Sequence, residues 1–216
     1  MNLPDRLLLI TDRRAARLPL LAVLQTALEA GCRWILVREK DLPAPARAAL
    51  ITDVLALAQP FGATVSVSYT QDQPQLWPGT GWHLPADVPV ASVRARYPTH
   101  LIGASTHSRA EAEAAAHGGA DYVTFSPVFP SLSKPGYGDK HGLERLQALA
   151  GSLSIPVVAL GGITPDNAAA CLAAGAQAVA VMGAVMGASN LDEVVHVVTQ
   201  ARHALAGRSA RSGEEH

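Results

Sequence analysis

Four short stretches of the chain bear groups that can grip an anion. Arg38-Glu39-Lys40 sets two cations one residue apart, arginine as a planar fork for phosphate oxygens and lysine as a point charge. Ser131, Ser133 and Lys134 place two hydroxyls and an ammonium within four residues, among Pro127, Pro130, Pro135, Gly136 and Gly138. Such a loop can wrap an anion and close over it. Gly161-Gly162-Ile163-Thr164-Pro165 leaves an apolar run through a glycine pair and enters a helix start. Gly162 there lets backbone N–H groups approach a phosphate, and the helix N-terminus favours negative charge. Met182-Gly183-Ala184 ends the last apolar run, and backbone amides at Gly183 can complete the same cradle. His107 follows Ser105-Thr106 and is the candidate acid or base, a role to which histidine as a residue type is suited. For His107 a structural role at a helix start competes, and for His83 a packing role in the core does. His100, His117, His196 and His203 read as surface or loop residues.

These groups need a scaffold that aims them at one place. Eight short apolar runs, at 7–11, 34–39, 64–69, 81–84, 101–106, 122–128, 156–161 and 178–183, predict strands. They are near-continuously apolar, as expected for parallel strands covered by helices. Helices are predicted at 19–30, 43–58, 89–96, 109–118, 142–151, 165–174 and 190–206. Pro74 and Pro78 leave a short helix or none between the third and fourth strands. Ser108 and Glu111 have capping-box spacing, and Thr164-Pro165-Asp166 combines a capping hydroxyl, a first-turn proline and an early carboxylate. Gly31, Gly118-Gly119 and Gly175 mark helix ends. An open doubly wound sheet would expect glycines after its first strand, where Thr11-Asp12-Arg13 stands instead. The anion-ready turns come after the seventh and eighth strands, which predicts a single (β/α)8 TIM barrel with its phosphate site on the C-terminal face.

Composition sets the outer limits. At 216 residues the chain suits one domain, over 1–206, with a polar tail at 207–216. Hydrophobic residues are 49% and charged residues 16%, enough for a large core. A net charge of −1 gives no general pull on nucleic acid or an acidic membrane, so a small-molecule phosphate is the expected partner. No apolar run approaches the roughly 18–20 residues that span a bilayer. Cys32 and Cys171 form no C-x-x-C signature and read as packing thiols. The chain opens without a signal peptide, and the expectation is a cytoplasmic protein. A homo-oligomer is compatible with all of this. No metal ligands are assigned, because the plausible mouth carboxylates are only Asp12, Glu39, Asp87 and Asp139.

The motifs, in their order, resemble the thiamine-phosphate synthase/TenI family of phosphate-binding barrels, over about residues 6–205. Val37-Arg38-Glu39-Lys40 is similar to the family's Q-L-R-E-K, and Gly103-Ala104-Ser105-Thr106-His107-Ser108 to its G-x-S-x-H-[ST]. Ser126 through Lys134 is similar to G-P-[IV]-[FY]-P-T-x-[ST]-K, and Gly161 through Asn167 to G-G-I-T-x-x-N. The resemblance implies one of two activities. Synthases join a hydroxymethylpyrimidine pyrophosphate to a thiazole phosphate with Mg2+, and pyrophosphate leaves before the thiazole nitrogen attacks. The TenI branch includes a thiazole tautomerase that moves a proton without Mg2+. Carried over by position, Arg38 and Lys40 match pyrophosphate-side cations. Ser105, Ser131, Ser133 and Lys134 match phosphate and pyrophosphate contacts, and Gly162 matches the thiazole-phosphate turn.

This chain also departs from the pattern. Leu36 replaces the synthase glutamine, Ser68-Tyr69 replaces Asn-Asp, and Val88 stands where a Mg2+ aspartate is usual. The tautomerase histidine of G-H-[VI]-F is Pro127. The missing aspartates place the chain nearer the TenI-like branch. The expectation is therefore metal-independent proton transfer on a thiazole phosphate, with His107 as acid or base and no cofactor. The alternative is a divergent synthase, for which Mg2+ would be needed and held by Glu39, Asp87 or waters. A further alternative is a non-catalytic binder of thiamine phosphate.

Overall fold

The computed structural model describes residues 3–71, 77–130 and 141–206. The strands are β1 (Leu7–Ile10), β2 (Trp34–Val37), β3 (Thr64–Ser68), β4 (Gly81–Leu84), β5 (Ile102–Thr106), β6 (Tyr122–Phe125), β7 (Val157–Ala159) and β8 (Ala178–Val181). All pair in parallel in chain order, and β8 pairs with β1, so the sheet closes into a barrel. The helices are α1 (Leu20–Glu29), α2 (Ala44–Ala58), α3 (Val90–Arg96), α4 (Arg109–His117), α5 (Gly142–Ala150), α6 (Pro165–Ala173), α7 (Gly183–Met186) and α8 (Leu191–Ala206). Among the described residues, β3 leads to β4 without a helix. The predicted tail at 207–216 lies outside the described residues.

Most of the predicted strands run past the observed ones at the C-terminal end. In those runs the last residues leave the ladder to build the mouth, and some keep single backbone bonds. Thr11 N–H donates to the Leu36 carbonyl at 3.0 Å, and Tyr69 N–H to the His83 carbonyl at 2.8 Å. In the run 122–128, Pro127 has no N–H to offer a ladder.

Strand side chains alternate between two environments. The outward set, with Leu7, Leu9, Ile35, Val37, Val65, Val67, Val123 and Val179, packs under the helices in the larger core. Cys32 and Cys171 are buried there, as the packing role expected. The inward set forms a second cluster of Leu8, Ile10, Trp34, Leu36, Tyr122, Val158, Ala178 and Ala180. The same inward parity brings Ser66, Ser68, His83, Ser105 and Thr124 from β3 to β6 into the lumen. Of these, Ser66, Ser68, His83 and Thr124 are buried. The lumen is thus apolar on the β7, β8, β1 and β2 side and hydrogen-bonding on the β3 to β6 side. The simple reading of the strands as uniformly apolar missed that division.

Capping fixes two loops of the mouth. Ser108 Oγ accepts from Glu111 N–H at 3.2 Å at the start of α4. The Glu111 carboxylate reaches one residue further back than a simple capping box, accepting from His107 N–H at 2.6 Å. At α6, Asn167 accepts from Thr164 N–H at 2.9 Å and donates to the Gly162 carbonyl at 2.9 Å. Both contacts tie a helix start to the strand end that precedes it.

Candidate active site

The C-terminal ends of the strands gather most of the anticipated residues at one mouth. Arg38 follows β2; its N–H donates to Thr11 Oγ1 at 3.0 Å. Its guanidinium meets Asp12 at 3.4 Å, with the arginine side chain 39% exposed. A pair this open is weak, so an incoming phosphate can compete for the guanidinium. Asp12 is also occupied locally, accepting from Arg14 and Ala15 N–H at 3.1 and 3.2 Å. Lys40 is exposed at the same rim, and its charge reaches His83 inside the lumen. Glu39, between the two cations, turns inward and is 3% exposed. It accepts Arg13 N–H at 3.0 Å and lies 3.8 Å from Arg13 Nε. Arg13 also pairs with Asp41. Arg13 was not anticipated; the signal was its place directly after the first strand, opposite Arg38-Glu39-Lys40.

Ser105 is on β5, half-buried, with its Oγ 3.0 Å from His83 Nε2. His83 Nδ1 lies 3.1 Å from the Tyr122 hydroxyl, and His83 is 5% exposed. Burial, with the Lys40 charge, pushes the imidazole down to about 3, so it is neutral across the working range. His107 follows β5, and its Nδ1 lies 2.8 Å from the Ser126 carbonyl after β6. The contact makes Nδ1 the protonated nitrogen, donating to that carbonyl. His141 approaches the same carbonyl through Nε2 at 3.0 Å and stacks on Phe125 with ring centroids 4.3 Å apart. Burial, helped by the Arg145 charge, outweighs the Ser126 contact and lowers the affinity of His141 for a proton.

Gly162 and Gly183 stand at the ends of β7 and β8. Gly162 has φ +63°, and a Cβ there would overlap the Pro130 carbonyl and lie 2.8 Å from Phe129 Cβ. The glycine is therefore required by the chain after β6, which seats on the turn, in addition to any ligand it admits. Gly183 opens α7 and is exposed. Ser131, Ser133 and Lys134 lie outside the described residues.

The synthase resemblance implies Mg2+, and the donor set can be tested for it. Among the described residues no three His, Cys, Asp or Glu side chains group as metal ligands. Glu39 is committed to Arg13, Asp12 to Arg38 and two backbone amides, and Asp87 is exposed on the β4 loop. Tyr69, where the synthase pattern has an aspartate, packs edge-on to Trp82 at 5.3 Å. The described residues do not fit a carboxylate-built Mg2+ site. What they offer an anion instead is Arg38, Lys40, Ser105 and the glycine turns.

The comparisons with known proteins agree with this architecture. The family model described as thiamine monophosphate synthase matches residues 7–185. A putative thiamine-phosphate synthase of Geobacter sulfurreducens is 41% identical over 183 residues, covering 83% of this chain and 86% of that protein. A thiamine-phosphate synthase of Moorella thermoacetica is 35% identical over 204 residues, covering 92% and 97%. The solved structure of thiamine phosphate pyrophosphorylase from Pyrococcus furiosus superposes with a TM-score of 0.81 at 32% identity, covering 93% and 95%. With its motifs, closed barrel and relatives in agreement, this chain belongs to the thiamine monophosphate synthase family.

Proposed function

We propose that the protein is a thiamine-phosphate synthase, joining hydroxymethylpyrimidine pyrophosphate to thiazole phosphate and releasing pyrophosphate. The observation that carries this reading is the pair of cations at the end of β2, Arg38 and Lys40, facing the mouth that Ser105 lines. The relatives' names support it and give the tautomerase expectation no support, so the preference drawn from the missing aspartates is corrected here. A residue pattern that lacks aspartates argues against one way of neutralising pyrophosphate, not against the reaction.

The chemistry asks little of acids and bases. The bond between the pyrimidine methylene carbon and the pyrophosphate oxygen breaks, and its electron pair leaves with pyrophosphate. The thiazole nitrogen then gives its lone pair to that carbon, forming the C–N bond and a thiazolium. No proton moves in either step. Catalysis is then the stabilisation of charge on the leaving group. Arg38 and Lys40 supply positive charge, and Ser105 supplies a hydroxyl. Ser131, Ser133 and Lys134 are assigned to the same anion. Gly162 and Gly183 are assigned to the phosphate of the thiazole. His107 becomes a group that fixes the Ser126 carbonyl, and its role as acid or base is not needed. The described carboxylates do not gather into a Mg2+ site, with Glu39 and Asp12 held by arginines and Asp87 exposed on the β4 loop. With two buried, unpaired thiols, the reaction is assigned to the cytoplasm.

The test is to incubate purified protein with both substrates, with and without Mg2+, and to measure thiamine phosphate. Product at a catalytic rate is expected. Its absence, together with ultraviolet evidence of thiazole aromatisation, would replace this reading with the tautomerase one. Inertness in both assays with retained binding by calorimetry would leave the non-catalytic binder.

A further inference from the structure

We infer that His83 is a positioning residue which, backed by Tyr122, holds the Ser105 hydroxyl as a hydrogen-bond donor toward an anion at the barrel mouth. The inference rests on the reading of this mouth as a phosphate site and adds a buried control over one of its groups.

The direction of the buried chain follows from its far end. The Trp34 indole N–H can only donate, and it donates to Ser66 Oγ at 3.1 Å. Ser66 is fully buried, so its own proton needs an acceptor. Tyr122 packs against the same Trp34 and offers its phenol oxygen to Ser66 as that acceptor; a phenol is a better donor than acceptor, so its own proton is left for His83. Tyr122 then sends its own proton to His83 Nδ1, 3.1 Å away. A neutral imidazole has one donor and one acceptor, so an accepting Nδ1 leaves the proton on Nε2. Nε2–H donates to Ser105 Oγ at 3.0 Å, with Thr124 Oγ1 more distant at 3.5 Å. Ser105 therefore receives a proton from inside and has its own to offer outward.

Reversing the chain would set the Ser66 and Tyr122 protons against each other. One buried donor would lose its partner, a larger cost than the gain of one neutral hydrogen bond. Protonating His83 would have the same effect by making Nδ1 a donor to Tyr122. Burial and the nearby Lys40 charge oppose that protonation.

Gly103 makes the arrangement sterically feasible. It lies on β5 two residues before Ser105, on the same strand face. A Cβ there would overlap the Tyr122 ring and stand 2.5 Å from its hydroxyl. The ring thus lies directly across β5, where its hydroxyl meets His83. Trp34 packs edge-on against the Tyr122 ring, with centroids 4.9 Å apart, and keeps it from swinging away.

Two measurements on the full chain test the inference, neither needing turnover. Long-range proton–nitrogen correlation spectra of protein labelled on histidine nitrogen read the His83 tautomer. The Nε2–H form is expected in the wild type and a mixture in Tyr122→Phe. Calorimetric titration with inorganic pyrophosphate reads the anion. Ser105→Ala is expected to weaken binding roughly tenfold, as for one charge-assisted hydrogen bond. Tyr122→Phe and His83→Ala are expected to weaken it by roughly three- to fivefold, and neither should weaken it further in a Ser105→Ala background. His83→Gln, which keeps an N–H near the Nε2 position, should recover most of the affinity. A wild-type Nδ1–H tautomer overturns the inference. So do losses that multiply with Ser105→Ala, or pyrophosphate binding that is absent or indifferent to Ser105. Thiamine phosphate formation is measured separately and bears only on the synthase reading.

Discussion

Gly162→Ala separates two reasons for a glycine that sequence alone merges. Gly62 provides the control. Its φ is +60° against +63° for Gly162, but a Cβ on Gly62 meets nothing within 4 Å. Left-handed backbone costs a non-glycine residue about 1–2 kcal/mol. Alanine recovers about 0.4–1 kcal/mol of this by restricting the unfolded chain. Gly62→Ala should therefore lose about 0.5–1 kcal/mol by these two terms. Gly162→Ala carries the same terms and also drives a methyl group into the Pro130 carbonyl and Phe129. Overpacking of this kind costs about 1–3 kcal/mol more. Urea denaturation of both variants measures the difference, and steady-state kinetics should show a raised KM for thiazole phosphate in Gly162→Ala alone. Phe129 and Pro130 lead in sequence into Ser131, so their displacement is expected to reach the anion side as well. Equal stability losses in the two variants would refute the steric argument. A normal KM in a destabilised Gly162→Ala would refute the link from this turn to the ligand.

Other expectations follow from the same contacts. Arg38→Ala and Lys40→Ala should each raise KM for the pyrophosphate substrate roughly tenfold or more, with smaller losses at high salt, since each removes a charge-assisted contact. Glu39→Gln should lower stability by about 1 kcal/mol through Arg13 and leave the Mg2+ dependence of the rate unchanged; a large shift in half-saturating Mg2+ would make Glu39 a metal ligand. The His83 imidazole is depressed from 6.5 to about 3, so the unfolded chain binds the extra proton between those values. Its stabilising contribution is complete above pH 6.5 and shrinks as pH falls toward 3, by up to about 1.4 kcal/mol per pH unit. Denaturation between pH 4 and 7 should show that slope, and His83→Gln should flatten it. Burial raises Cys32 and Cys171 to about 11, so at pH 8 only about one thiol in a thousand is ionised. Both should react with a disulfide reagent only on unfolding.

Much of the fold is legible in local sequence. Each strand is a mostly apolar run, and the helix starts at Ser108 and Thr164 carry their own caps. Arg38, Lys40, Ser105, His107, Gly162 and Gly183 stand out in the sequence as candidate site residues because they lie at or just past strand ends, and a barrel turns those ends to one mouth. The commitments of Glu39 to Arg13 and of His83 to Tyr122 span 26 and 39 residues, and no local pattern announces them. The lumen network did leave a trace. Gly81 and His83, Gly103 and Ser105, and Tyr122 and Thr124 recur at a spacing of two within otherwise apolar strands. A period-two reading of the polar positions would have drawn them to one face.

The divided lumen has a consequence for how this sequence can drift. Leu8, Ile10, Leu36, Val158, Ala178 and Ala180 trade volume among themselves, and swaps that conserve their total should be tolerated singly. Ser66, Tyr122, His83 and Ser105 cannot be exchanged in that way, because deleting one leaves a buried neighbour with an unanswered proton or lone pair. Viable replacements on that side should arise as matched pairs, with the two halves of one barrel accumulating change by different rules.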